Sequence, residues 1–254
     1  MGSVGSPDAS SAGAPCDDGV MGTRGRRRAV LTVLAALVLA GCGSASDPSP
    51  PAGVDGLVIP TPSVDPDDFV TGVDNRWLPL PVGATWTYAL SGTRQGDVTV
   101  TTVEGPDVEG VATTAVQTRS VPARGRDTVT DFYAQDEAGN VWWFGREGEW
   151  QAGADGARAG LVMAADPRVG DGYRQAEAAG VVDRRAEVLG LEGERTVPDG
   201  TFDHLVVVAV TSPLTGVVEQ TYYAEGIGLV ALETIEGEPE TQLGLVAYDE
   251  PQPG

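Results

Sequence analysis

Apolar and polar residues alternate with a period of two along most of the chain beyond residue 68, and helical spacing is nearly absent there. Residues 84–90 set the pattern: Trp86, Tyr88 and Leu90 share one face, Thr85 and Thr87 the other. Residues 97–103 and 110–119 repeat it with β-branched side chains. Residues 128–135 run through Asp136 to Asn140 into residues 141–144, a hairpin over a Gly/Asn turn. Residues 186–192, 205–210 and 241–248 read as further strands, and residues 219–224 and 229–233 as a hairpin over Glu225 to Gly228. Residues 153–167 read as a loop, and residues 176–191 have a composition compatible with a short helix. The expected fold is mainly β: a single antiparallel curved sheet over residues 69–250, forming a half-barrel or open barrel.

The chain ahead of this domain follows different patterns. Residues 29–40 are an unbroken apolar run preceded by Arg24, Arg26, Arg27 and Arg28. Twelve helical residues span about 18 Å, short of the roughly 30 Å hydrocarbon core, so a secretory signal is expected in preference to a membrane-spanning helix. Met21 opens a normal basic signal, which makes it the expected start of translation and leaves Cys16 outside the exported protein. Residues 43–68 carry six prolines among small polar residues, the composition of a disordered, semi-extended tether. The expected boundaries are a signal peptide over 1–41, a linker over 42–68 and the β domain over 69–250.

Leu39, Ala40, Gly41 and Cys42 resemble a bacterial lipobox. The resemblance implies cleavage between Gly41 and Cys42 and attachment of diacylglycerol to the Cys42 sulfur, which anchors the domain to the outer face of the cell membrane. A pair or more of acyl chains makes such anchoring durable. With Cys42 lipidated, the exported chain has no second cysteine and can form no internal disulfide.

Charge narrows the partners. The chain has 37 acidic residues against 16 basic ones, every basic residue is Arg, and the net charge is −21. Phosphate backbones demand clustered positive charge, so nucleic-acid binding is excluded. Anionic headgroups also repel such a body, which leaves the lipid on Cys42 as its membrane contact.

Catalytic chemistry finds little support in the residues. His204 is the only histidine, which rules out a multi-histidine metal site, and no cofactor motif is present. Next to Asp203 on a strand it points to the opposite face, so it reads as a surface imidazole. Asp136 and Asn140 lack the downstream bidentate Glu of a calcium loop and read as turn residues. Asp131, Asp136, Glu147 and Glu149 lie near tryptophans and are where an acid/base carboxylate pair would be sought. Residues 141–144 are apolar on both faces, Trp142 and Phe144 on one and Val141 and Trp143 on the other. Such a strand is either covered on both sides or lines a ligand groove with one.

The phrases N-R-W-L-P-L-P-V-G-A-T-W-T-Y (75–88), D-F-Y-A-Q-D-E-A-G-N-V-W-W-F-G (131–145), W-Q-A-G-A-D-G (150–156), D-P-R-V-G-D-G-Y-R-Q (166–175), V-P-D-G-T-F-D (197–203) and Y-Y-A-E-G-I-G-L-V (222–230) resemble a family of secreted or lipid-anchored bacterial β proteins to which no activity is assigned. The last two also resemble phrases in lipoprotein-carrier half-barrels of the bacterial envelope. The resemblance implies export and a curved sheet, and it brings no catalytic residue with it. The function expected is a non-enzymatic envelope lipoprotein with an aromatic face, Trp86 with Trp142 or Trp143, that binds a small apolar or amphipathic ligand. The alternative is a scaffold with a filled core that meets an envelope protein, and a carboxylate-dependent hydrolase comes third.

Overall fold

The computed structural model describes residues 58–59, 65–121 and 128–251; Gly41, Cys42 and the rest of the signal lie outside them. The chain divides into two units, residues 1–49 and 50–254. Among the described residues no helix is long and apolar enough to cross a membrane. After β1 (Val58–Ile59), a 3₁₀ turn at Pro66–Asp68 and β2 (Phe69–Val70), the strands are β3 (Thr85–Gly92), β4 (Gly96–Val108), β5 (Val111–Val121), β6 (Thr128–Asp136), β7 (Val141–Arg146), β8 (Trp150–Gln151), β9 (Arg158–Met163), β10 (Gly172–Ala178), β11 (Val182–Val197), β12 (Gly200–Ser212), β13 (Val217–Ala224), β14 (Gly228–Glu236) and β15 (Thr241–Asp249).

Twelve of these strands form one closed antiparallel barrel in chain order: β3, β4, β5, β6, β7, β9, β10, β11, β12, β13, β14 and β15, with β15 returning to β3. The half-barrel or open barrel expected from the pattern is therefore corrected to a closed one. Closure runs from Thr241 opposite Gly92 to Asp249 opposite Thr85, and it removes the two unpaired edges an open sheet would present. The short strands are accessory: β2 extends β6, β8 pairs with β7, and β1 lies parallel on β10. Thus Val58 and Ile59, inside the stretch expected to be a tether, pair with Gly172 and Tyr173.

Two local expectations are also corrected. Arg158–Met163, inside the expected loop, is a barrel strand whose residues 159–163 are all buried. Burial on both faces removes the alternation by which a strand is recognised. Gly160 allows the close approach: a Cβ there would stand 2.4 Å from the backbone of Gln175 on β10. The helix compatible with residues 176–191 is replaced by the end of β10, a turn and β11, because cross-strand pairing overrides the local preference of the Ala, Glu and Arg residues there.

The pleat sorts the side chains. Thr85, Thr87 and Ser91 on β3, Asp97, Thr99 and Thr101 on β4, and Gln242 on β15 share the outward face. Trp86, Tyr88, Val98, Val116, Val206, Val208, Tyr223 and Leu245 are buried. Every buried apolar residue among those described lies between Val73 and Leu245.

Candidate functional site: an apolar cavity inside the barrel

An eight-stranded barrel is just filled by its own side chains, and enclosed width grows with strand number. Twelve strands leave room that aromatic residues occupy in part. What remains is a cavity of about 220 Å³. Trp86 and Tyr88 from β3, Val98 and Val100 from β4, Val116 and Thr118 from β5, Tyr133 from β6, Val162 from β9, Tyr223 from β13, Leu229 from β14 and Leu243 from β15 form its wall. Thr118, the three phenols and the Trp86 indole N–H are the polar groups of this barrel wall.

One end is covered by the segment that carries Leu78, Pro79 and Leu80, together with Ile227 and Gly228. Asn75 shapes that segment. Its Oδ1 accepts from the Trp77 and Leu78 backbone N–H groups, and its Nδ2 donates to the Gly139 and Ala164 carbonyls. Leu80 N–H donates to Val73 O. Prolines 79 and 81 then hold the chain extended. The covering segment and the β13–β14 turn are joined by Gly226 N–H donating to Arg76 O and by an exposed Arg76–Glu225 ion pair. The wall joins the same turn: Trp86 Nε1 donates to Ile227 O, and the Tyr88 hydroxyl donates to Leu229 O. Tyr248 stacks on Trp86 at 5.1 Å between ring centroids.

Of the tryptophans expected at the ligand face, Trp86 with Trp142 or Trp143, only Trp86 lines the cavity. Trp142 packs edge-on against Phe69 and donates its indole N–H to Asp136. Trp143 stacks on Tyr133, meets Trp150 edge-on, and donates to Gly145 O. Both are core residues with satisfied N–H groups, as expected for a strand covered on both sides.

The wall residues that sequence reasoning missed are Tyr133 and Tyr223. Each lies at a strand position whose inward face appears only once its neighbours are known. Burial is the first cause that pushes the pKa of Tyr88, Tyr133, Tyr173 and Tyr223 upward, so all four phenols stay protonated. Tyr173 is 3% exposed. Its hydroxyl is one of two buried side-chain polar atoms among the described residues without a hydrogen-bond partner. An unsatisfied buried hydroxyl costs about 1–3 kcal/mol.

The carboxylates have structural partners. Asp131 accepts two hydrogen bonds from Arg146, at 2.8 and 3.1 Å. Burial raises its pKa above the ordinary carboxylate range, opposed by the hydrogen bond and charge of Arg146. Asp136 accepts from the Asn140 backbone and side chain as well as from Trp142, which makes the 136–140 stretch the turn expected. Glu149 lies 4.0 Å from Arg146. His204 is exposed beside Glu192.

No family model and no curated protein matches the chain. One solved structure it is similar to is a Bacteroides fragilis protein described as exported and as having a YMCC-like fold. That similarity covers 69% of this chain and 100% of the other, at 11% identity and a TM-score of 0.43.

Proposed function

We infer that this chain is an exported lipoprotein, acylated on Cys42 and held at the outer face of the cell membrane. Its barrel binds a small apolar or amphipathic molecule without converting it. The anchoring half of this reading rests on the sequence of residues 24–42. The binding half rests on one observation, the apolar cavity of about 220 Å³ under the 75–81 segment. Apolar cavities of this order take apolar guests: an engineered 150 Å³ cavity binds benzene. Scaling by volume gives room here for roughly nine carbon atoms. That suits one short chain or ring system rather than a whole lipid with several chains. Water-facing polar residues outside and an apolar space inside are what carriage of a sparingly soluble molecule requires.

The test is the melting temperature of the exported chain before and after stripping with organic solvent. A ligand held at a hundred times its Kd adds about 2.7 kcal/mol, or a rise of about 5–11 °C for a domain of this size. Stripped protein should melt lower, and returning the extract should restore the difference. Equal melting before and after, together with no response to added extract, would reject the binding reading and favour the scaffold.

A further inference from the structure

The two ends of the barrel differ in charge. At the end that receives the 75–81 segment, every hairpin connection of the barrel carries a carboxylate: Glu109, Glu137, Asp166, Asp199 and Glu225. At the opposite end, residues 178–182 around the β10–β11 turn read A-A-G-V-V, and residues 212–218 around the β12–β13 turn read S-P-L-T-G-V-V, with no charge in either. These tips are neighbours. Arg185 on β11 pairs with Thr211 on β12, and Val181 stands four residues beyond the one and Leu214 three beyond the other. Both tips therefore project past the same rung. The β14–β15 turn flanks them: a Cβ on Gly237 would stand 2.9 Å from Gly216 O. Val181, Leu214 and Ile235 are 53%, 53% and 52% exposed. Behind them the charges are matched internally, Arg184 with Glu219 and Arg185 with Asp183, each at 2.9 Å. Glu236, Glu238 and Glu240 close the apolar sector on its far side.

An exposed apolar sector marks an interaction site, and its composition decides the partner. Protein interfaces concentrate their energy in Trp, Tyr and Arg anchors, and the two tips carry none of these. A bilayer interface asks only for apolar side chains and the absence of like charge. Resting on the anchoring half of the reading above, we propose that the β10–β11 and β12–β13 tips are a lipid-docking edge. Val181 and Leu214, with Ile235 at their margin, enter the headgroup layer of the membrane that holds Cys42. The net charge that repels the protein from anionic headgroups lies mainly at the other end, so that repulsion turns the tips toward the bilayer. The tether permits the turn. Val58 and Ile59 pair with Gly172 and Tyr173 at the carboxylate end, and residues 43–57 separate them from Cys42. Fully extended, that stretch reaches about 50 Å, whereas the thirteen residues of β4 at a barrel tilt of about 40° rise roughly 35 Å. Docked this way, the 75–81 cover of the cavity faces away from the bilayer.

The experiment uses the exported chain from residue 42 with Cys42→Ser, which has no cysteine left. An N-terminal hexahistidine holds it on vesicles of phosphatidylglycerol and phosphatidylcholine that contain a nickel-chelating lipid. One cysteine is added at a time, Val181→Cys, Leu214→Cys or, as the control at the other end, Val169→Cys, and labelled with bimane. All three positions are exposed, so the label leaves the core undisturbed. Lipids spin-labelled near the headgroup should quench the label at 181 and 214 at least about twofold, and at 169 by less than about a tenth. Leu214→Glu placed in the Val181→Cys chain should remove the quenching at 181. Quenching at 169 alone, at all three positions equally, or at none would overturn the proposal, as would quenching at 181 that survives Leu214→Glu. The nickel lipid takes the place of acylation, so none of these outcomes bears on the Cys42 reading, which metabolic palmitate label tests separately.

Discussion

Gly160→Ala separates the closed barrel from the loop that the local sequence suggests. In a loop with a compatible backbone, replacing Gly by Ala restricts the unfolded chain and stabilises by about 0.4–1 kcal/mol. In the barrel, the new Cβ would stand 2.4 Å from the carbonyl carbon and oxygen of Gln175 and 2.5 Å from Arg174 O. These are backbone atoms of the neighbouring strand, so relief requires β10 to move away from β9, and with it the wall that carries Val162. Overpacking of this kind costs about 1–3 kcal/mol. At about 2–4 °C per kcal/mol for a domain of 150–250 residues, a mid-range cost near 2 kcal/mol lowers the melting temperature by about 4–8 °C. Gly190 on β11 is the control: a Cβ there meets nothing within 4 Å. Its replacement by Ala should leave melting unchanged or raise it by about 1–3 °C. Thermal unfolding of the two variants side by side, followed by circular dichroism, reads the difference. A Gly160→Ala variant that melts at or above the parent would refute the β9–β10 packing and the wall built on it.

Arg146→Met leaves the buried Asp131 carboxylate without its bidentate partner and should cost about 2–3 kcal/mol at neutral pH, less than a fully buried pair because the arginine is partly exposed. The Asp131 pKa is held above its unfolded value, chiefly by burial, so its contribution to stability is present below the unfolded pKa and is lost as pH rises through the folded one. The variant lacks the arginine that chiefly opposes this shift, so its deficit in urea unfolding should widen from about pH 4 to pH 7; a deficit that narrows would contradict the assignment. Arg76→Ala breaks an exposed pair worth at most about 1 kcal/mol. It should leave melting nearly unchanged and speed ligand exchange by up to about fivefold, readable by stopped-flow release; an unchanged release rate would show that the Arg76–Glu225 contact does not gate the cavity. Cys42→Ser should lose metabolic palmitate label and leave the membrane fraction, and a variant that stays labelled and membrane-bound would sink the lipobox reading.

The strand pattern was readable wherever one face meets water. Residues 84–90, with Trp86 and Tyr88 alternating against threonines, became β3 nearly unchanged, and the Asp136–Asn140 turn has the hydrogen bonds its residue types imply. The pattern failed where both faces are covered, as at Ala159 to Met163, where no alternation survives. Closure was not readable at all. It depends on residues 85–92 meeting residues 241–249, a pairing across about 150 residues that no local signal encodes. The cavity wall inherits that limit. Trp86 could be nominated because aromatics stand out, but Tyr133 on β6 and Tyr223 on β13 converge only after five barrel strands have paired between them on either side. Trp142 and Trp143, nominated on the same ground as Trp86, were taken up by Phe69, Trp150 and Tyr133.

Native mass spectrometry of the exported chain from residue 42, with Cys42→Ser, purified without detergent and followed by solvent extraction, addresses the binding claim most directly. The cavity predicts one adduct per chain, of a small apolar or amphipathic molecule with roughly nine carbons or slightly more. It also predicts that filling the space with Val100→Phe abolishes the adduct in a folded protein. A chain that flies at its bare mass from cells and from incubation with envelope extract, with nothing recovered in the solvent, would contradict ligand carriage and leave the barrel as a scaffold.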